Sequence, residues 1–201
     1  GESCLNVIRQ NKQEFNLFGI GIGSNSDEAK KIAEEFSPDL IFIAESNLDK
    51  DHELFRSHPE ILNTQKELQQ LIQDPGVDIV ISAISGFAGL QASYFAIDAG
   101  KTILLANKES IVAAGDILMP LAKAKNSIII PVDSEHNAIH QCLPHERDFN
   151  EISKILITAS GGPFREKSFQ DLNVVTLKDA LNHPTWNMGS KITIDSATLV
   201  N

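Results

Sequence analysis

The sequence predicts an α/β protein built on a parallel sheet that helices cover on both faces. Along residues 1–132, short apolar runs rich in Ile, Leu and Val alternate with longer stretches of amphipathic helical pattern. Several of these runs end in glycine or in a polar segment that opens a helix, which is typical of strand-to-helix connections. This order of elements predicts a Rossmann-like domain with right-handed crossovers, followed from residue 133 by the start of a second α/β domain.

The elements of the first domain, residues 1–132, follow from the spacing of the apolar residues. The predicted strands are Phe15–Gly21, Leu40–Ala44, Asp78–Ala83, Thr102–Leu105 and Ser127–Ile130. The predicted helices are Leu5–Arg9, Asp27–Phe36 with Ser26 as its cap, Asp51–Gln73 with an interruption at Pro59, Gly86–Ala99 ended by Gly100, and Lys108–Lys125 broken near Gly115 and Pro120. Strands and helices at this spacing form a parallel sheet that is buried on both faces.

The second domain, residues 133–201, has a less regular pattern. A helix is predicted over Ala138–Leu143, and a strand over Ile152–Thr158. A short helix over Thr176–Asn182 is followed by the loop His183–Gly189, a brief extended run at Ile192–Ile194, and a helix from Asp195.

Composition limits the classes of function. The 201 residues are 42% hydrophobic, which is ordinary for a globular protein with a core. A net charge of −10 argues against non-specific nucleic-acid binding, although it leaves room for a local basic pocket that takes a phosphorylated metabolite. No apolar run approaches the roughly 20 residues of a membrane span. Cys4 and Cys142 lack metal-like spacing, so we interpret them as reduced thiols.

Two carboxylates follow the predicted strand that ends at Ile130. Asp133 and Glu135 lie in the segment Pro131–Asn137, at the carboxyl end of that strand, where open α/β sheets bind their ligands. Two carboxylates two residues apart suit a hard divalent cation such as Mg²⁺ or Mn²⁺. The alternative is a helix N-cap made by Asp133 or Ser134, and both interpretations can hold at once.

Two other strand ends indicate a cofactor. NAD enzymes usually carry an acidic residue at the strand end that Gly23, Ser24 and Asn25 occupy. Its absence leaves room for a 2′-phosphate and favours NADP over NAD. In Asn107-Lys108-Glu109, a lysine at the start of a helix can meet an anionic or carbonyl-bearing ligand. A plain glycine turn and a capped helix with exposed charges are the structural alternatives.

Two further segments have the composition of a substrate site. Ser160-Gly161-Gly162 resembles half of an anion nest, with a simple turn before Pro163 as the equal alternative. The loop His183–Gly189 combines an imidazole, the lone Trp186 and a glycine hinge. Such loops often close over substrates, and the alternative is a surface loop with Trp186 packed down.

Taken together, these segments resemble the 1-deoxy-D-xylulose 5-phosphate reductoisomerase family. The segments that carry the resemblance are, in order, Leu104–Ser110, Pro131–Ile139, Ser160–Phe164, His183–Gly189 and Lys191–Thr198. Each segment alone is weak evidence, but five in this order are highly specific, and the resemblance as a whole covers nearly the whole chain.

The resemblance implies a role for individual residues. Asp133 and Glu135 correspond to two of three carboxylate ligands of a divalent metal (Mn²⁺, Mg²⁺ or Co²⁺), while Lys108 and Ser134 correspond to contacts with the hydroxyl-bearing end of the substrate. The resemblance implies that the backbone and phosphate of the substrate are held by Ser160, His183, Ser196 and Asn201, and that NADPH is contacted by Gly1, Gly23, Ser24, Asn25, Asn107, Glu109 and Gly189. It makes Lys108, Asp133, Glu135 and His183 the catalytic group, and it places Trp186 and Met188 on a flexible lid.

The resemblance also implies a reaction. It is the rearrangement of 1-deoxy-D-xylulose 5-phosphate to a branched aldehyde and its reduction by NADPH to 2-C-methyl-D-erythritol 4-phosphate, in non-mevalonate isoprenoid biosynthesis. The implied setting is a homodimer of the full-length protein, in the bacterial cytoplasm or a plastid-type organelle, with no nucleic-acid or membrane partner.

The chain departs from the family pattern in three respects. The family's first strand and glycine-rich loop precede Gly1, which matches only the last glycine of that loop. A phosphate-binding lysine, the third metal ligand and a C-terminal helical domain follow Asn201, so we expect this chain alone to be an inactive fragment. Ser24 stands where relatives often carry a basic residue.

Two alternatives come from other functional classes. A homoserine-dehydrogenase-like oxidoreductase also carries Ala-Asn-Lys at a strand end, but it does not build its hydride chemistry on a metal held at Asp133 and Glu135. A non-catalytic nucleotide-binding module would bind NADPH without any metal-dependent substrate binding.

Overall fold

The computed structural model describes residues 1–23, 25–44, 61–144 and 149–198. The chain forms two compact units, Gly1–Asn137 and Ala138–Asn201. The functional division that we predict at residue 132 is a separate matter and stays a prediction. In the described part of the chain, no helix is both long enough and apolar enough to cross a bilayer.

The first unit contains two three-stranded sheets. One sheet has the order β1 (Gly19–Ile22), β2 (Leu40–Ile43), β3 (Ile61–Leu62), and the other has the order β4 (Ile79–Ser82), β5 (Thr102–Leu105), β6 (Ile129–Pro131). Every described pairing is parallel, with Ile20 opposite Ile41 in the first sheet and Leu104 opposite both Ile81 and Ile130 in the second. The predicted parallel α/β fold is therefore confirmed.

The described helices lie before, between and after these strands along the chain. They are α1 (Glu2–Gln10), α2 (Ser26–Phe36), α3 (Gln65–Gln73), α4 (Leu90–Asp98), which follows a 3₁₀ turn at Phe87–Gly89, α5 (Lys108–Lys125) and α6 (Ser134–Cys142). The predicted break in α5 is present at Ala114, where φ is −143° and ψ is 23°, next to Gly115. Pro120 does not end the helix, and α5 runs on to Lys125.

The strand β2 shows how the sheet is covered. Alternate residues of a strand point to opposite faces of its sheet. Phe42 joins the larger apolar cluster, built mainly from α3, α4, α5 and β5, whereas Ile41 and Ile43 join a second cluster with Ala29 and Ala33 of α2. Both faces of the sheet are therefore packed, which explains why β2 is a continuous apolar run rather than an alternating one.

Two predictions in the first unit are wrong. Ile61 and Leu62, which we predict to be helical, pair with Ile41 and Phe42 as a short strand, because adding two apolar residues to a sheet edge outweighs the local charged pattern. The remainder of that predicted helix before residue 61 lies outside the described residues. Helix α2 is capped by Asn25, whose side-chain oxygen accepts from the Glu28 amide at 3.1 Å, and Ser26 is its first residue.

The second unit has short elements: 3₁₀ turns at Phe149–Glu151 and Asp171–Val174, and the helices α7 (Leu177–Ala180) and α8 (Ser190–Thr198). The strand predicted over Ile152–Thr158 is wrong, since this segment pairs with no strand among the described residues and exposes Ile155, Leu156 and Ile157. The run Ile192–Ile194 is helical rather than extended. There Thr193 is buried and its hydroxyl donates to the Gly189 carbonyl at 2.9 Å.

We expect Thr64→Ala to destabilise the first unit by about 1 kcal/mol, because Thr64 and Glu67 form a reciprocal capping box at the start of α3. Helix α3 contributes Leu68, Leu71 and Ile72 to the core, so its fraying also loosens apolar packing. Urea unfolding followed by circular dichroism measures the change. Thr64→Ser keeps the hydroxyl and is the matched control, and equal losses in both variants would contradict the capping argument.

Candidate active site

The carboxyl ends of β4, β5 and β6 bring three polar segments to one edge of their sheet. Parallel pairing places Ser82, Leu105 and Pro131 in line across the three strands. The backbone continues the alignment beyond the strands, because the Asn107 amide donates to the Ser82 carbonyl at 3.0 Å and the Val132 amide donates to the Leu105 carbonyl at 2.9 Å. This edge is where parallel α/β sheets bind ligands, as predicted for the segments that begin at Asn107 and Asp133.

Asn107 holds this edge together from the inside. Its side chain is buried, its amide nitrogen donates to the carbonyls of Ile84 and Gly86, the latter at 2.8 Å, and its oxygen accepts from the Ser110 amide at 3.0 Å. A Cβ atom at Gly89 would lie 2.9 Å from the Asn107 amide carbon, so only glycine permits this close approach. Asn107 therefore positions the loop after β4 and caps α5, and its predicted contact with NADPH stays a prediction.

A buried hydroxyl network supports Asn107 and was missed by sequence reasoning. The hydroxyls of Ser82 and Ser93 lie 2.8 Å apart, and Ser93 also donates to the Gly89 carbonyl at 3.1 Å. The Ser93 hydroxyl lies 3.5 Å from that of Ser110, which donates to the Asn107 side-chain oxygen. All three serines are buried. The signal available in the sequence was a serine at position 93 inside the mainly apolar helix Leu90–Asp98.

Lys108 and Asp133 form an ion pair between α5 and the end of β6. The Lys108 ammonium lies 3.1 Å from Asp133 Oδ2, and the two side chains are 21% and 14% exposed. His136 Nδ1 lies 3.0 Å from the other oxygen, Oδ1. Two predicted catalytic residues, 25 positions apart in the sequence, are thus in direct contact.

The Asp133 carboxylate is ionised, and one of its two oxygens lacks a hydrogen-bond donor. Burial by itself raises the pKa of this carboxyl, but the hydrogen bond and charge of Lys108, together with the charge and backbone amide of His136, outweigh burial and leave the pKa below its usual range. Oδ1 is buried and receives no hydrogen bond of acceptable geometry from the described residues, despite the nearness of His136. A buried carboxylate oxygen without a donor is costly unless a further ligand completes it.

The donors around Asp133 fit a hard divalent cation. Glu135 lies two residues further, in the first turn of α6, with its Oε2 accepting a hydrogen bond from the Ser134 hydroxyl at 2.8 Å. Carboxylate oxygens are the ligands that Mg²⁺ and Mn²⁺ prefer. Among the described residues, no group of three or more His, Cys, Asp or Glu side chains is arranged around one point, so these residues offer two carboxylates and not a complete ligand set.

The predicted cofactor residues near the N-terminus are dispersed over β1 and the helices beside it. Gly1 precedes α1, and Gly23 follows β1, with open space around the point where each would carry a Cβ. The Asn25 side chain is used as the cap of α2. Ser24 lies outside the described residues, and so does Asn201 at the other end of the chain.

In the second unit, three predicted substrate residues meet at Ser160. The Ser160 hydroxyl lies 3.1 Å from His183 Nε2 and 3.1 Å from the Ser196 hydroxyl, and it accepts from the Gly162 amide at 3.1 Å. Ser196 is buried, while Ser160 and His183 are half-buried. Residues separated by up to 36 positions thus form one hydrogen-bonded cluster.

The other side of the His183 ring organises the predicted lid. Its Nδ1 accepts from the backbone amides of Thr185 and Trp186, each at 3.1 Å, and the Trp186 ring stacks on the imidazole with centroids 5.1 Å apart and planes inclined by 17°. Trp186 is nevertheless 56% exposed, so it lies over the histidine rather than in a core. The exposed ring favours the lid interpretation of this loop over a packed surface loop.

Glycines make the approach of Ser160 to α8 possible. Gly161 and Gly162 have φ values of +79° and +64°, which L side chains rarely adopt. A Cβ at Gly162 would collide with the Ser196 carbonyl oxygen, and one at Gly161 would lie 2.8 Å from the Arg165 Cβ. At the end of the lid, Gly189 and Met188 precede α8, where the Thr193 hydroxyl lies within hydrogen-bonding distance of both carbonyls.

Comparison with known protein families identifies two matching domains. Residues 1–115 match the 1-deoxy-D-xylulose 5-phosphate reductoisomerase domain, and residues 129–201 match the C-terminal domain of the same reductoisomerase. A curated relative of that name from Geobacillus sp. (strain WCH70) is 46% identical over 202 residues, which is 100% of this chain and 53% of the relative. The chain spans about half the length of the curated relatives it matches.

Solved structures agree with the sequence comparison. A DOX-P reductoisomerase in complex with NADPH, fosmidomycin and magnesium superposes with a TM-score of 0.91 at 40% identity, covering 100% of this chain and 52% of that one. The reductoisomerase from Zymomonas mobilis in complex with NADPH gives a TM-score of 0.88 at 36% identity, again over 100% of this chain and 52% of that one.

We expect the free energy of unfolding to fall less steeply with decreasing pH in Asp133→Asn than in wild type. The folded state lowers the pKa of Asp133, so its stabilising contribution is present above the ordinary carboxyl pKa of about 4 and is lost as the pH falls through the folded-state pKa. Urea unfolding between about pH 3 and about pH 7 gives the free energy of both proteins. Asp98→Asn, which removes a more exposed partner of Lys125, is the control. A wild-type to Asp133→Asn difference that is independent of pH would contradict the assignment.

We expect Gly162→Ala to destabilise the second unit by about 1–3 kcal/mol, because the methyl group meets the Ser196 carbonyl and the backbone has a positive φ. Thermal unfolding followed by Trp186 emission measures the change. Gly189→Ala is the matched control, since its methyl group would enter open space. A similar loss in both variants would mean that the contact with α8 does not limit position 162.

Proposed function

The chain belongs to the 1-deoxy-D-xylulose 5-phosphate reductoisomerase family, and on that premise we propose that the protein containing it converts 1-deoxy-D-xylulose 5-phosphate to 2-C-methyl-D-erythritol 4-phosphate. The reaction uses NADPH and a divalent metal, in non-mevalonate isoprenoid biosynthesis. The observation that carries the proposal is the half-satisfied carboxylate of Asp133, paired with Lys108 at the carboxyl edge of a parallel sheet.

Asp133 and Glu135 are the residues of this chain that would hold Mn²⁺, Mg²⁺ or Co²⁺. The buried, unsatisfied Oδ1 of Asp133 and the carboxylate of Glu135, two residues further along the chain, have the charge and hardness that these ions require. When bound, the metal supplies Lewis-acid polarisation of the carbonyl and hydroxyl oxygens of the substrate. A third ligand has to come from outside the described residues.

Lys108 supplies positive charge beside this carboxylate pair. Its ammonium is held at 3.1 Å from Asp133, so its position is defined before any ligand arrives, and such preorganisation favours charge that develops in the transition state. Lys108 and Ser134 bind the hydroxyl-bearing end of the substrate in this proposal. Asn107 acts beneath them by keeping the start of α5 in place.

The cluster Ser160, His183 and Ser196 holds the substrate's backbone and phosphate, together with Asn201. Neutral hydrogen-bond donors suit a phosphate whose charge is balanced by other residues. Gly161 and Gly162 let the backbone beside Ser160 approach α8. Trp186 and Met188 form the lid over this site, which excludes water from the reactive intermediate.

NADPH binds at the first unit in this proposal, with contacts from Gly1, Gly23, Ser24, Asn25, Asn107 and Glu109. The family resemblance also assigns an NADPH contact to Gly189. The cofactor supplies the hydride. The parallel sheet with polar strand ends supports this assignment. We place the division between the cofactor domain and the catalytic domain at residue 132.

The remaining assignments concern the setting of the full-length protein. We propose a homodimer that acts on a phosphorylated sugar, in the bacterial cytoplasm or, for a eukaryotic source, in a plastid-type organelle. The comparisons do not favour a homoserine-dehydrogenase-like enzyme or a non-catalytic nucleotide-binding module.

The test uses the full-length protein that contains this chain. NADPH oxidation with 1-deoxy-D-xylulose 5-phosphate should require Mn²⁺ or Mg²⁺. Asp133→Asn and Glu135→Gln should each lower kcat/KM by a factor of about 10² to 10³, because each removes a charged metal ligand worth several kcal/mol in the transition state.

Asp98→Asn is the matched control, since it also neutralises a paired aspartate but lies in α4 beside Lys125. NADPH affinity is measured in parallel by quenching of emission, and it should change by less than about threefold in both site variants. Unchanged turnover in Asp133→Asn and Glu135→Gln, with Mn²⁺ present, would overturn the metal assignment.

A further inference from the structure

The hydrogen bonds around His183 have a defined direction. Backbone amides can only donate, so Nδ1, which faces the amides of both Thr185 and Trp186, must accept from them and carries no hydrogen. A neutral imidazole that lacks hydrogen on Nδ1 carries it on Nε2. His183 Nε2 therefore donates to the Ser160 hydroxyl oxygen, 3.1 Å away.

The direction continues through the two serines. The Ser160 oxygen accepts from His183 Nε2 and from the Gly162 amide, which uses both of its lone pairs. Its own hydrogen then points to the Ser196 oxygen, 3.1 Å away. Ser196 accepts this bond, and its own hydrogen makes no hydrogen bond to another of the described residues.

We propose that His183 is a positioning residue, held as the neutral Nε2–H tautomer, whose two nitrogens have separate tasks. Nδ1 holds the turn that carries Trp186. Nε2 sets the direction of the hydrogen bonds from Ser160 to Ser196, so that the Ser196 hydroxyl at their end is a donor. This inference rests on the proposed function, in which that donor meets an anionic phosphate oxygen of the substrate.

The tautomer also defines what His183 does not do. Nδ1 is occupied by two amide hydrogens, and Nε2 already carries a hydrogen, so neither nitrogen is free to accept a proton from the substrate. Within the cluster Ser160, His183 and Ser196, His183 therefore acts on the substrate through the two serines, by orienting their hydroxyls. The Trp186 ring stacked on His183 links these serines to the lid.

Both tests use the full-length protein that contains this chain. The first test is its ¹⁵N NMR spectrum with labelled histidine, without any ligand. We expect the Nδ1 resonance of His183 in the range of an unprotonated ring nitrogen and the Nε2 resonance in the range of a protonated one. His183→Gln, which lacks the ring, assigns the signals. The reverse pattern, or a ring protonated on both nitrogens at neutral pH, would overturn the proposal.

The second test separates the two nitrogens with two variants. The side-chain oxygen in His183→Asn reaches roughly the place of Nδ1 and can accept from residues two and three positions on, as in an Asx turn. The side-chain nitrogen in His183→Gln reaches roughly the place of Nε2 and can still donate to Ser160. His140→Asn and His140→Gln, in the same unit, are the matched controls.

Amide hydrogen exchange reports the turn, and titration with inorganic phosphate followed by NMR reports the serines. In His183→Asn we expect exchange at Thr185 and Trp186 to stay within about threefold of wild type and the phosphate affinity to fall about tenfold. In His183→Gln we expect the opposite: exchange about tenfold faster and phosphate affinity within about threefold. If amide exchange and phosphate affinity change equally in the two variants, His183 has only a structural role and the proposal is overturned.

The same data separate this inference from the proposed function. If wild type has the expected tautomer and turn but does not respond to phosphate, the donor end of the chain is assigned to the wrong ligand, and the phosphate role in the proposed function fails with it. If phosphate binds but the tautomer is reversed, the proposed function stands and the inference about His183 is overturned.

Discussion

Parallel pairing of β4, β5 and β6 is the constraint on which the site in the first unit depends. Because the three strands run in the same direction and in register, their carboxyl ends place Asn107 beside Ser82, and Lys108 beside Asp133. An antiparallel neighbour would have sent one of these segments to the opposite edge. The register is maintained by apolar residues such as Ile103, which is fully buried in the larger cluster.

Two polar residues at this edge have opposite energetic status. Asn107 is fully enclosed, and each of its side-chain groups has a partner, which makes it part of the framework. Asp133 is also mostly buried, but Lys108 pairs with only one of its carboxylate oxygens, Oδ2, and the other, Oδ1, lacks a hydrogen-bond donor. Burying an unsatisfied charge costs free energy unless a ligand completes it, and this cost is the physical reason for proposing a metal at Asp133.

In the second unit, the predicted substrate residues are oriented by the direction of their hydrogen bonds rather than by ion pairs. Backbone amides at Thr185 and Trp186 fix one nitrogen of His183, and the opposite nitrogen then sets the polarity of Ser160 and Ser196. The backbone conformation of the lid therefore determines the hydrogen-bond direction of Ser160 and Ser196, which lie outside the lid. Glycine at position 162 is a condition for this arrangement, since any side chain there would displace α8 from Ser160.

The sequence by itself determined the parallel α/β class, most helix and strand positions in the first unit, and the identity of the family, because these depend on apolar periodicity and on short segments of specific composition. Tertiary structure decided the rest. It turned Ile61–Leu62 into a strand through pairing with β2, and it left Ile152–Thr158 without a strand partner among the described residues. It also created the buried serine network, the ion pair of Asp133 with Lys108, and the contacts of Ser160 with His183 and Ser196. These features depend on distances between residues far apart in the chain, and no local pattern encodes such distances.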